Sequence, residues 1–365
     1  MNIINPQLSS IELRAVVLEM QHLRSAKIDQ IYEQNGEFYF RIHSLRGKEI
    51  LCVRPGKYIY LSAEKPAMEQ PSGFCMQLRK HLAQARISAV TVVDGQRIAV
   101  FDLDTKDAPY RLIVELFAKG NIVLCKRKEI IGLLNQIKMT SRELFVGNDY
   151  VEPLLDNNVI GMYDTELGHV LAQSTKDSLV TAIAADVGLG GQFAEEVCFR
   201  ATIDKKKNPQ TLAEKEVHAV ARVIDELMRE APRGYIYEHG VCAPVELRSL
   251  KLVETLDTFN AALEKLLAQL GQHREKIAHE AKFGAKMEKL HHILQQQEEK
   301  LHEIDTRVDE FTRKGDLVYE RYSDVHALLS AVAELRKDGW DKVKTFLADK
   351  KLKADLKEKK VVMEL

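Results

Sequence analysis

The strongest constraint on this chain is a run of apolar residues at helical spacing that is too long for a globular core. Leu256, Phe259, Leu263, Leu266, Leu270 and Ile277 recur at steps of three, four or a heptad. Met287, Leu290, Leu294, Leu301, Ile304, Val308 and Phe311 continue the pattern. This is an a/d seam with a frame shift expected near Phe283-Gly284. As one helix, the roughly 56 residues at about 1.5 Å each make an arm of about 84 Å. One apolar stripe cannot bury itself, so the seam demands a partner helix. Beyond it lie only short helical segments at 325–335 and 340–350, with Trp340 expected in a small core, and a final VVMEL that reads as a strand. The expectation is a truncated chain whose returning helix lies downstream, or a homodimer in which a second copy supplies it. The arm histidines (His273, His279, His291, His292, His302) form no ligand set with neighbouring carboxylates and read as solvated.

Ahead of the arm the pattern changes. Ser9 can cap a helix over 9–23. Residues 27–44 read as two strands joined at Asn35-Gly36, a hairpin signal. Further strands are expected at 49–53 and 57–61, separated by Pro55-Gly56. A helix over 74–85 follows, then strands at 87–93, 97–103, 112–117 and 121–126, with Gly95 and Gly120 in the turns. Residues 142–153 read as irregular. A helix followed by strand runs gives an α+β class.

The stretch 71–142 holds twelve Lys/Arg against six Asp/Glu, inside a chain of formal net charge −1. A local basic excess in a neutral protein points to a polyanion-facing surface. Its candidates are Arg79, Lys80, Arg86, Arg97 and Lys119, with Asn121 beside Gly120 as a polar contact. Downstream, helices are expected over 175–187 and 192–201 around Gly188-Leu189-Gly190-Gly191. Two short helices joined by a hydrophobic-Gly-x-Gly turn form a helix-hairpin-helix, whose backbone N–H groups at Gly188 and Gly190 can hold a phosphate. The plain alternative is a glycine helix stop before a new helix. Lys205 and Lys206 favour phosphate contact, although such a run is also an ordinary solvated loop. Strands at 235–237 and 245–250 return towards the arm.

Several function classes fall away. There is no P-loop, GxSxG, HExxH or dinucleotide fingerprint, so no catalytic residue is assigned. Asp102, Asp104 and Asp107 sit beside Lys106 and Arg111, which makes a solvated turn a better reading than a metal site. Cys52, Cys75, Cys125, Cys198 and Cys242 are scattered without a CxxC pair and read as small buried hydrophobes in a reducing cytosol. The start lacks a basic region leading into an apolar run, and no apolar run approaches about 18 residues. A cytoplasmic protein without a membrane anchor, cofactor or metal is expected. Residue patterns alone leave two functions open: a nucleic-acid binder, or an α+β domain whose arm serves only protein contacts.

The segments PSGFCMQLRKHLAQARI, QRIAVFDL, ELFAKGNIVL, DVGLGGQFAEEVCFRATID and TFNAALEKL, in this order, resemble the NFACT family, the ribosome-associated quality-control factors of the RqcH and NEMF type. Some members carry an older label as fibronectin-binding proteins, and KGNIVL is similar to the archaeal and eukaryotic form. The resemblance implies an NFACT-N domain (1–173), a helix-hairpin-helix domain with returning strands (174–253), a coiled-coil arm (254–315) and a middle domain at its tip (316–365). It also implies binding to large ribosomal subunits obstructed by peptidyl-tRNA, with tRNA, rRNA and the nascent chain as partners. Such factors recruit tRNA for untemplated tailing of the nascent chain, and the ribosome forms the bonds. The family's Asp-Arg pair needed for tailing falls on Gln96-Arg97 here, so only the arginine carries over. NFACT-N further resembles the N-terminal domain of formamidopyrimidine-DNA glycosylases. Asn2 stands where those enzymes have their proline, and zinc-finger cysteines are absent. The alternatives are a cell-surface adhesin or a non-catalytic DNA-binding protein.

Overall fold

Ser9 starts the first helix and anchors it. Its side chain accepts from the Glu12 N–H, and the Glu12 carboxylate accepts from the Ser9 N–H at 2.7 Å, a closed capping box on α1 (Ser10–Glu19). Leu13, Ala15, Val16 and Val17 are buried against a sheet, whereas Ile11 packs into a separate helical core. A helix with apolar residues on most of its circumference must be enclosed, and α1 is.

The computed structural model describes residues 7–64, 70–138, 142–153, 164–350, 352–355 and 360–362. It divides into two units, Met1–Arg274 and Glu275–Leu365. In the first, β1 (Lys27–Gln34), β2 (Glu37–Ser44), β3 (Gly47–Arg54) and β4 (Tyr58–Ser62) form one meander. After α2 (Gly73–Leu82), a second meander runs through β5 (Arg86–Val92), β6 (Ile98–Asp104), β7 (Pro109–Glu115), β8 (Asn121–Lys126) and β9 (Glu129–Leu133). The two join at β1 and β5 through Lys27 and Arg86, giving a nine-stranded antiparallel sheet in the order β4-β3-β2-β1-β5-β6-β7-β8-β9. Asn35 and Gly36 have φ of 52° and 75°, the left-handed pair that a two-residue hairpin needs.

The sheet curls until the β3–β4 turn meets the β7–β8 turn. The Gly56 N–H donates to the Glu115 carbonyl, and a Cβ on Gly120 would lie 1.8 Å from the Gly56 nitrogen. Only glycine permits that approach. Asn121 beside it is fully buried, its amide donating to the Asn135 carbonyl and accepting the Asn135 N–H.

The short strands β10 (Ile137–Lys138) and β11 (Glu143–Leu144) pair with each other. The helical part holds α3 (Asp164–Gln173), α4 (Leu179–Ala185), α5 (Gly191–Ala201) and α6 (Glu214–Arg229). The helix expected at 175–187 is shorter, because Ser178 caps it at Leu179. Strands β12 (Gly234–Tyr237), β13 (Val241–Ala243) and β14 (Leu252–Leu256) follow. The strand expected over 245–250 does not form. Tyr237 Oη takes the Leu247 N–H and Glu196 takes those of Arg248 and Ser249, which leaves no ladder to join.

Helix α7 (Phe259–Glu320) is continuous through Phe283-Gly284, so the expected frame shift causes no break, and it runs past residue 315. Its first turns belong to the core of the first unit, where Phe259, Ala262, Leu263 and Leu266 are buried. Glu19 caps its start, accepting from the N–H groups of Phe259 (2.7 Å) and Asn260 (2.8 Å), while the Asn260 amide binds both backbone groups of Leu61 on edge strand β4. In the second unit Leu290, Leu294, Leu301, Ile304, Val308 and Phe311 are exposed, so the seam has no cover within the described residues. There α8 (Tyr322–Leu335) precedes α9 (Trp340–Asp349), whose Val343 and Leu347 are buried while Trp340 is half-buried. β15 (Lys353–Asp355) pairs with β16 (Lys360–Val362), and the last three residues lie outside the described ones. All five cysteines are free and buried, and no described helix is long and apolar enough to cross a membrane.

Gly36 and Gly120 share nearly the same φ, 75° and 74°, but only Gly120 faces backbone. Gly36→Ala should cost about 1 kcal/mol from left-handed strain alone, and Gly120→Ala about 3 kcal/mol or more because the turns must separate. Urea unfolding of both variants measures the difference; equal losses would refute the contact.

Candidate nucleic-acid interface

The β5–β6 turn, the start of α1 and the start of α5 line a cleft of about 600 Å³. Gly95 (φ 71°) turns the chain so that Gln96 N–H closes onto the Val93 carbonyl and Arg97 faces the opening. The Arg97 carbonyl accepts from Leu116 N–H at 2.7 Å, which ties the turn to the end of β7. One wall rests on a buried ion pair. Arg142 grips Glu115 through two bonds of 2.8 and 2.9 Å, Tyr150 donates to the same carboxylate at 2.9 Å, and the guanidinium lies 5.4 Å from the centre of the cleft-lining Phe117 ring. Burial and then the Glu115 carboxylate push the Tyr150 hydroxyl pKa up. Gln96 secures the same wall by donating to the Pro153 carbonyl at 3.1 Å.

The opposite wall is the hairpin between α4 and α5. Gly188 and Gly190 have φ of 81° and 82°, where side chains are strained, and the N–H groups of Leu189 and Gly190 bond back to Ile183 and Ala184. Gly190 is the N-cap of α5 and brings no side chain to cap the first turn. A Cβ on it would touch Ser9 at 3.7 Å, so the starts of α1 and α5 meet at one point in the cleft. Both carry the positive end of a helix dipole.

Between these walls Arg97 is half-buried. Burial lowers its pKa, and its side chain has no hydrogen bond or ion pair among the described residues. A guanidinium with no ion-pair partner among the described residues, beside the uncapped start of α5, has the donors and field that a phosphate takes, although the Glu12 carboxylate, engaged by Ser9, lines the same cleft.

Of the candidates from sequence, the cleft gathers Gln96, Arg97, Gly188 and Gly190, but the Gly190 N–H is spent on the Ala184 carbonyl and is not free to hold a phosphate. The others do not line it. Arg79 donates to the Ile31 carbonyl on β1 and lies over Tyr32, and Arg86 reaches the Ser25 carbonyl. Lys80 and Lys119 are exposed elsewhere. Asn121 has no free face, since the buried amide bridges two turns. Lys205 pairs with Glu195 at 3.2 Å, and the carbonyls of Lys205 and Lys207 serve the N–H groups of Val180 and Leu179. Lys206 is exposed beside Asp204. The basic surplus is partly internal too, with Arg142 on Glu115 and Arg111 on Asp102. Sequence reasoning missed Ser9 and Phe117. The Ser9–Glu12 capping box was readable, but its place in a cleft depends on tertiary packing.

Residues 9–364 match the family model described as NFACT N-terminal and middle domains. An archaeal Rqc2 homolog, aRqcH of Methanocaldococcus jannaschii, is 28% identical over 94% of this chain and 55% of its own length. The human ribosome quality control complex subunit NEMF is 32% identical over 37% of this chain and 13% of its own. Thus the chain spans about half of the archaeal relative. The solved N-terminal part of the fibronectin/fibrinogen-binding protein from Streptococcus suis shares the fold, with TM-score 0.59 and 19% identity over 72% of this chain and 99% of that one.

Glu196 fixes α5 and therefore the hairpin. It is fully buried and accepts from Arg200 Nε (2.7 Å) and from the N–H groups of Arg248 and Ser249 (2.9 Å each). Burial alone would raise its pKa, but these bonds outweigh burial and hold it below the ordinary value. Its stabilisation is thus present above the unfolded carboxylate pKa and is lost as pH falls through the depressed folded value. Glu196→Gln should destabilise the fold by about 2–3 kcal/mol at pH 7. The gap from wild type should narrow as pH drops below the ordinary carboxylate range, as followed by thermal melts at stepped pH. A constant gap would refute the assignment.

Proposed function

This chain belongs to the NFACT family, and on that premise we propose that it acts in ribosome-associated quality control by binding RNA of an obstructed large ribosomal subunit through the cleft around Arg97. The observation that carries the reading is the half-buried Arg97, unpaired and set beside the uncapped start of α5. Phosphate contacts position a nucleic acid without reading its bases, which suits a factor that meets tRNA and rRNA by shape. The human relative, named as a ribosome quality control complex subunit, and the archaeal Rqc2 homolog support the role.

In this reading tRNA enters the cleft, rRNA meets the remaining basic surface, and the nascent chain stays on the ribosome. Peptide-bond formation belongs to the ribosome, so the chain supplies binding and orientation and is not itself an enzyme. Tailing is the step that Gln96 endangers, since the family acid beside the arginine is absent. The exposed seam of α7 takes a returning helix from further chain, or a second copy as a homodimer. The protein works in the cytoplasm.

Cosedimentation with separated ribosomal subunits tests the role. Enrichment on large over small subunits is expected; equal recovery, or fibronectin binding without enrichment, would refute it. For the cleft, Arg97→Ala should weaken tRNA binding about tenfold or more and lower the salt slope by about one. Lys205→Ala, outside the cleft, should change affinity by less than about twofold. Filter binding across a salt series reads both, and equal effects would remove the cleft assignment.

A further inference from the structure

A second recess in the first unit lies between strands β2–β4 and the root of α7, at the margin of the main core. Strand register places Tyr39, Cys52 and Tyr60 side by side across β2, β3 and β4, and Arg54 opposite Tyr58, with Glu37 two residues before Tyr39 on the same face. The Tyr58 and Tyr60 rings meet edge to face at 5.8 Å. With Glu264, Leu267 and Leu270 from α7, these residues enclose a groove of about 310 Å³.

Three carboxylates, Glu37, Glu64 and Glu264, line this groove against two cations, Arg54 and Lys265. Glu37 is partly engaged, accepting from Tyr58 Oη at 3.2 Å with Arg54 at 3.9 Å. Lys265 is turned to Glu254 at 2.6 Å. Glu264 and Glu64 also line the groove, and neither has an ion-pair or hydrogen-bond partner for its carboxylate among the described residues. The carboxylates are felt inside. After burial, the charge on Glu37 is the next cause that pushes the Tyr39 hydroxyl and Cys52 thiol up, and Glu264 adds to the Cys52 shift.

Tyrosine faces attract cations through their quadrupole, and guanidinium both stacks on a ring and pairs with a carboxylate. A phosphate would meet Glu264 and Glu64 as like charges, so this groove repels what the Arg97 cleft attracts. We propose that the tyrosine–glutamate groove beneath the α7 root is a docking site for an arginine side chain of a basic protein segment. The guanidinium stacks against Tyr39 and Tyr60 and pairs with Glu264. The groove shares no lining residue with the Arg97 cleft, so this site stands or falls apart from the proposed function.

The test uses the full chain with tyrosine rings isotope-labelled for NMR, titrated with N-acetyl-arginine amide and with its neutral isostere N-acetyl-citrulline amide. Saturable shifts of the Tyr39 and Tyr60 resonances are expected with the arginine compound, at least about threefold tighter than with citrulline. Glu264→Gln, a nearly isosteric change at a half-buried position, should weaken arginine binding about threefold, and Tyr60→Leu about tenfold. Absence of saturable shifts, equal binding of both compounds, or arginine binding unchanged in Glu264→Gln would overturn the proposal. Tighter binding of an oligouridylate than of the arginine compound at these rings would overturn it in favour of RNA.

Discussion

Everything in the first unit hangs on burying α1 with a carboxylate at each end. Glu12 closes the capping box at the cleft, and Glu19 caps the long helix α7. Burial raises the pKa of both, against hydrogen bonds that lower it, so each is costly to enclose unless its donors are fixed. Those donors are backbone N–H groups at helix starts, which themselves need acceptors. One short helix thus joins the sheet core through Val16 and Val17, the hairpin core through Ile11, and the root of the arm through Glu19. Moving α1 would open the cleft and uncap the arm together.

The charge pattern shows a division of labour that a count of basic residues cannot. Arg142 and Arg200, nearly buried, are matched to Glu115 and Glu196 and act as braces for the two cleft walls. A buried pair contributes little net stability, but removing one partner is costly, so such pairs fix geometry. Arg97 lies between them with no ion-pair partner among the described residues, the Glu12 carboxylate of the same cleft being spent on the Ser9 N–H. What sets Arg97 apart from the bracing arginines is the lack of an ion-pair partner among the described residues, and not exposure, because Lys80 and Lys119 are more exposed and sit outside the cleft.

Local signals were legible: the Asn35-Gly36 hairpin, most strands of both meanders, the glycine turn at Gly188–Gly190 and the helical arm. These depend on neighbours within a few residues. The failures are tertiary. Residues 245–250 have strand composition, but Glu196 and Tyr237 take their N–H groups. The short strand β9 went unread beside the charged turn at Lys126–Lys128. Asn121 looked like a contact residue because its neighbour is a turn glycine; in the fold Gly120 serves a backbone crossing and Asn121 a buried bridge. Of the candidate site, Gln96, Arg97 and the two hairpin glycines were legible from local pattern, whereas Ser9 and Phe117 reach the cleft only through the curl of the sheet.

Position 96 sharpens how the cleft must work. Gln96 is nearly buried, and its amide donates to the Pro153 carbonyl. An aspartate there is shorter and, when ionised, has no donor, so it would set an acceptor against that carbonyl. It would also place a negative charge next to Arg97. With glutamine the wall is pinned by a neutral bond and Arg97 keeps its whole charge for a ligand. With an acid, the wall would need another tie and the arginine would be held by its neighbour. The same two positions therefore trade orientation of the guanidinium for strength of anion attraction. With Gln96 this chain sits at the strong-attraction end of that trade.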